Sequence, residues 1–141
     1  MSCLHLGMRH PGEEWLSNYD KAKKEAVENN RLILAFFTCS DFGAWCRKLN
    51  SEVFSKNEFK KWAVDNVILL ELDFPIKKRQ SEEVILQNNR LREQYQISGY
   101  PTVLFIAPDG RKIGKIILAS GGSKPWIKLA DKLVKKYYEN K

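Results

Sequence analysis

A chain of 141 residues fits one ordinary globular unit, and 43% apolar with 11% aromatic residues is enough for a packed core, which excludes wholesale disorder. No apolar run approaches the ~20 residues that span a bilayer. Twenty-four Lys and Arg against seventeen Asp and Glu leave a charge of +7 spread along the chain, and three cysteines, an odd number, exclude the disulfide framework of a small secreted module.

The start, "MSCLHLGMRHPGEEW", has no continuous apolar stretch and does not read as an intact secretory signal. Residues 1–13 are expected to form a disordered tail ahead of a domain over 14–141. Cys3, His5 and His10 offer ligands for zinc, but three without a fourth in such a segment are a weak signal, so no metal site is expected. From Glu14 to Asn29, Trp15, Leu16, Tyr19, Ala22, Ala26 and Val27 recur at helical spacing, which predicts an amphipathic helix ended by Asn29-Asn30.

"RLILAFFT" (Arg31–Thr38) is an apolar run of strand length, as a strand buried on both faces would be. Ser40 or Asp41 can cap the next helix, which runs from about Phe42 through Trp62 with a break or bend at Ser55-Lys56-Asn57. "VILLELDF" (Val67–Phe74) is a second buried strand, stopped by Pro75. The basic loop "PIKKRQS" leads into a polar helix over about Ser81 to Gln96, with Val84, Ile85, Leu91 and Tyr95 as its apolar positions. "PTVLFIA" (Pro101–Ala107) is a third strand, Pro108-Asp109-Gly110 a turn, and "KIGKIILAS" (Lys112–Ser120) the other arm of a hairpin. Gly121-Gly122 precedes the last helix, Lys124 to Tyr138.

Strands joined through helices call for parallel pairing, and the closing hairpin adds an antiparallel strand. The expected class is therefore α/β: a four-stranded mixed sheet flanked by helices.

The stretch "FFTCSDFGAWCRKLNSEVF" carries an apolar strand into a short polar turn, after which Trp45 and Cys46 open a helix. Together with "VILLELDFP", "LREQYQISGYPTVLFIAPDGRKIGK" and the glycines before the last helix, it resembles the thioredoxin-like family. Within that family it is most similar to the bacterial DsbH-type branch of periplasmic disulfide reductases. The resemblance covers roughly residues 14–139 and implies the thioredoxin fold. It implies a redox motif Cys-x-x-Cys, which here reads Gly43-Ala44-Trp45-Cys46: the second cysteine is present and a glycine stands at the first. Phe42 replaces a usual tryptophan, and Cys39 stands where a glycine is usual. A cis Tyr100–Pro101 peptide and a periplasmic location are further implications.

Thiol–disulfide exchange needs one thiolate to attack and a second thiol to resolve the mixed disulfide. Cys46 is the thiol matched to the family, and Cys39 is a candidate second thiol. Cys39 is expected to be a small buried apolar residue, a free thiol packed at the end of the strand, and pairing with Cys46 would need Cα atoms within ~7 Å. Gly43, Ala44, Trp45, Tyr100 and Pro101 are the candidate substrate-binding positions, where an extended client could add as a strand.

Two functions follow: weak or altered disulfide exchange on a polypeptide client or redox partner protein, or a redox-inactive module that holds a polypeptide in the groove beside the proline. No cofactor is called for. Lys124, Lys128, Lys132 and Lys136 form a solvated face opposite apolar residues, including Leu129, on the last helix, so nucleic acid is not an expected partner. Lys77-Lys78-Arg79 is a candidate docking loop, and binding of an anionic ligand is the third reading. Asp41 and Glu52 have no evident acid/base partner.

Overall fold

In the computed structural model, residues 12, 14–117 and 121–141 are described. Cys3, His5, His10 and the last residues of the predicted hairpin arm lie outside them. Gly12 is buried at φ +80°, and a β-carbon there would come within 2.3 Å of the Ala63 carbonyl oxygen, so only glycine fits this contact.

The elements are α1 (Tyr19–Asn29), β1 (Leu32–Thr38), α2 (Ala44–Leu49), a π-helical turn (Asn50–Phe54), α3 (Asn57–Asn66), β2 (Val67–Asp73), α4 (Glu82–Gln94), β3 (Thr102–Ile106), β4 (Lys112–Ile116) and α5 (Ser123–Glu139). The four strands form one mixed sheet in the order β2-β1-β3-β4. β1 is buried along its whole length, as its unbroken apolar run requires. Leu32, Leu34 and Phe36 face one core with Phe54, Phe59 and Trp126, while Ile33, Ala35 and Phe37 face the other with Ala22, Ala26 and Leu91. Helices α1 and α4 thus cover one face of the sheet, and the π-helical turn, α3 and α5 cover the other.

Three expectations are corrected. The first helix begins at Tyr19 rather than Glu14, because the Asn18 side chain accepts from the Lys21 amide and caps it there. The residues before it run beside the sheet: Leu16 bridges the edge of β2 through its amide to Leu69 and its carbonyl to the Glu71 amide. Val27 and Leu129, read as core positions, are exposed.

The second correction concerns strand direction. β1 and β2 are parallel, but β3 is antiparallel to β1 although a helix precedes it. Helix α4 explains this, because it returns the chain to the end of the sheet at which β2 finishes. There the Tyr100 ring packs 5.0 Å from that of Phe74, and β3 must then run back down the sheet.

The third concerns the long helix after β1. It does break before Asn57, where Lys56 is extended, but its second half has already widened into the π-helical turn, closed by the Ser55 amide on the Asn50 carbonyl. The wider turn sends the consecutive residues Val53 and Phe54 both into the core.

Phe54 and Phe59 sit in an aromatic cluster with Trp15, Trp126 and Trp62, the Phe54 and Phe59 centroids 4.8 Å apart. Phe59→Ala should therefore lower unfolding free energy by about 3–5 kcal/mol, the cost of emptying a fully packed aromatic site. Urea denaturation measures it, and a loss under about 1 kcal/mol would show that this cluster does not bear on stability.

Candidate functional site

The turn between β1 and α2 is built by its own backbone. The Cys39 carbonyl accepts from the amides of Phe42 (3.4 Å) and Gly43 (2.9 Å), which folds residues 39–43 tightly and leaves Gly43 as the N-cap of α2. Gly43 has φ −90°, an ordinary conformation for any residue. Cys46 lies one turn into α2, only 2% exposed, and its Sγ accepts from the Cys39 amide at 3.5 Å. A β-carbon on Gly43 would stand 2.9 Å from that sulfur and 3.3 Å from the Cys46 β-carbon.

Two aspartates hold this turn to the next loop. Asp73, the last residue of β2, accepts from the Ser40 amide at 2.9 Å and the Ser40 hydroxyl at 2.5 Å. Its backbone carbonyl accepts from Gln80 and from the buried Asn88 of α4, and Lys78 completes an ion pair with its carboxylate at 3.3 Å. Asp41 accepts from the amides of Ile76, Lys77 and Lys78. Ser40 and Asp41 therefore do not cap α2 with their side chains, as the sequence had suggested; they tie the loop over 74–80 to the turn. These amides, Ile76 foremost, hold the Asp41 carboxyl below its usual range.

Cys39 is buried at 7% exposure, and both described cysteines are free thiols. Burial pushes the Cys39 thiol up, and the nearby Asp41 carboxylate and Cys46 add to the rise. Burial likewise raises the carboxyl of Glu71, which shares a face of β2 with Val67 and Leu69, and Asp73 reinforces it.

The Tyr100–Pro101 peptide is cis, in keeping with the resemblance. Cys39, Gly43 and Tyr100 line a single groove of about 600 Å³ together with Phe42, Phe74, Ile76 and Arg92. Of the sequence candidates, the structure thus brings together Cys39, Gly43 and the Tyr100–Pro101 bend, with Cys46 directly behind Gly43. Ala44 and Trp45 lie on the open side of α2 and do not line the groove; Trp45 is 54% exposed, with the Lys48 ammonium 4.9 Å over its ring. Sequence reasoning missed Asp73, Asn88 and Arg92. A buried-position asparagine on the otherwise apolar stripe of α4 is the one signal that pointed to a polar tie there. Among the described residues no group of three or more His, Cys, Asp or Glu is placed to hold a metal ion, and no helix is long and apolar enough to cross a membrane.

A strand, a tight turn and a helix that buries a cysteine, with a cis-proline bend ahead of the third strand, define a thioredoxin-like protein. The family model for the thioredoxin-like domain matches residues 19–120, and the chain belongs to that family. It is 32% identical over 114 residues to the disulfide bond reductase DsbH of Chlamydia pneumoniae, covering 81% of this chain and 68% of that protein. It is also 26% identical over 119 residues to the thioredoxin-related protein DsbJ of the same organism, covering 84% of this chain but only 34% of DsbJ. A solved DsbH oxidoreductase structure superposes with a TM-score of 0.83 at 29% identity, over 93% of both chains. The oxidised DsbD C-terminal domain of Neisseria meningitidis, at 11% identity and a TM-score of 0.61 over 84% of this chain and 98% of that one, shares the fold. The chain is thus a thioredoxin-like protein related to DsbH.

Asp41→Asn should loosen the loop over 74–80. Since the folded carboxyl titrates below its unfolded value of about 3.9, its contribution is complete above that pH and disappears as pH falls through the folded value. Hydrogen exchange at the Ile76, Lys77 and Lys78 amides should quicken in the variant at pH 7, and the stability gap to wild type should close in acid. A gap that widens in acid would contradict the tether.

Proposed function

We propose that this protein engages polypeptide thiol or disulfide clients in the groove beside Pro101 and exchanges disulfides with them only weakly, because the attacking position is Gly43. The observation that carries this reading is the place of Gly43 against Cys46, whose sulfur would stand 2.9 Å from a β-carbon at position 43. A β-carbon there would lie 3.3 Å from that of Cys46, a little short of the ~3.5–4.5 Å of a disulfide, and 3.1 Å from the Cys39 carbonyl oxygen, so its neighbours would give by a few tenths of an ångström to admit the pair. The place for a redox pair is kept, and one of its thiols is absent.

Exchange by the remaining thiol has a defined cost. The Cys46 thiolate attacks a client sulfur, a new S–S bond forms, and the other client sulfur leaves as thiolate. No partner at position 43 can then expel the client, so release waits for an external thiol. Burial of Cys46 slows even the first step for a bulky disulfide, which favours the second reading, a module that binds polypeptide without redox turnover. Cys39 reaches the groove wall and is the other candidate thiol, but its raised pKa leaves little thiolate at neutral pH. The disulfide-reductase name of the DsbH relative supports a polypeptide disulfide as the client class. A periplasmic location, where such bonds form, fits the same reading.

Insulin reduction driven by dithiothreitol tests it. Gly43→Cys should raise turnover over wild type by at least about tenfold, since it supplies the missing one of two obligatory thiols. Adding Cys46→Ala to that variant should remove the gain. Wild-type turnover equal to that of the Gly43→Cys protein, abolished by Cys39→Ser, would instead make Cys39 the attacking thiol.

A further inference from the structure

We propose that the groove selects an extended polypeptide bearing an acidic side chain, whose carboxylate docks on Arg92 beside the Tyr100–Pro101 bend. This rests on the polypeptide-binding reading above and adds what kind of polypeptide is taken.

The lining of the groove has cations and no carboxylate. Its charged members are Lys78 and Arg92, set among the rings of Phe42, Phe74 and Tyr100 and the aliphatic chain of Ile76. The two cations differ in what they have left to offer. Lys78 is already paired with Asp73. Asp41, the nearest acid of the turn, has its oxygens taken by three amides. Arg92 is exposed, yet among the described residues no carboxylate reaches it.

Arg92 is also held in place. Its guanidinium carbon sits 5.2 Å from the centroid of the Phe74 ring, and one nitrogen donates to the Tyr100 hydroxyl at 3.3 Å. A guanidinium has five N–H donors in a planar fork, so most remain for a ligand, and a fork fixed by stacking loses less entropy on binding. A carboxylate matches it with two parallel hydrogen bonds.

The other half of the surface favours a polypeptide over a small acid. Phe42 and Ile76 are 62% and 66% exposed at the rim, apolar area that a side chain next to the acidic one would cover. Residues Tyr100 and Pro101 lie at the same end, where a strand of client backbone can pair.

The probe is a positional-scanning decapeptide library, each position fixed in turn as Glu or Gln, followed by dissociation constants for the best peptide and its Glu→Gln form. Glu should outbind Gln about tenfold at one position or two neighbouring ones, the size expected of a hydrogen-bonded charge pair. Arg92→Gln should bring that ratio to near one, and Arg92→Lys should keep part of it. Binding with no Glu preference at any position, or a preference that survives Arg92→Gln, would overturn the inference and leave the polypeptide-binding reading standing. Binding of no peptide by the wild-type protein would overturn both.

Discussion

The Asp73 carboxylate on Ser40 is the contact on which the site depends. It joins the end of β2 to the turn that follows β1, two segments far apart in sequence, and it does so with a hydroxyl at 2.5 Å and an amide at 2.9 Å. Hydrogen bonds to a charged group contribute about 1.5–3 kcal/mol each, more than most surface contacts. The parallel register of β1 and β2, with Thr38 opposite Asp73, is what brings the two ends level. Once they are level, the Phe74 amide closes on the Thr38 carbonyl and Asp41 reaches across to the loop beyond. A turn pinned on both sides can present Gly43 and Cys46 in one arrangement only.

That pinned turn sets the geometry around Gly43 and Cys46. The backbone at Gly43 is conventional, Cys46 packs directly against it, and the first turn of α2 offers its amides to a developing thiolate. Position 43 itself carries no side chain. The two described thiols are both shielded, one behind the turn and one at the groove wall, and aromatic and cationic groups make up much of the groove around them.

Much of this could be read from the residues. The apolar runs of β1 and β3 have strand length and no polar interruption, β2 is broken only by Glu71, and the spacing of α5 puts Trp126 and Ala130 on its buried stripe, which Val134 rather than Leu129 completes. The start of α1 was obscured because Trp15 and Leu16 keep helical spacing with Tyr19 while being buried by the sheet edge and the aromatic cluster instead. The antiparallel β3 was hidden because sequence order alone does not say to which end of the sheet a helix returns. Ser40 and Asp41 have the composition of a cap, and only the three-dimensional nearness of residues 73–78 gives them other partners. Arg92 belongs to a polar, solvent-facing helix surface, where one arginine looks like any other until Phe74 and Tyr100 are seen beneath it.

The central claim is that both shielded thiols persist as thiols and no relocated pair has replaced the missing one. Equilibrating the native protein with a small disulfide oxidant, alkylating without reduction and mapping the cysteines by mass spectrometry tests this directly. The account predicts that Cys39 and Cys46 both carry the alkyl group once the protein is unfolded. A stoichiometric Cys39–Cys46 disulfide would contradict it.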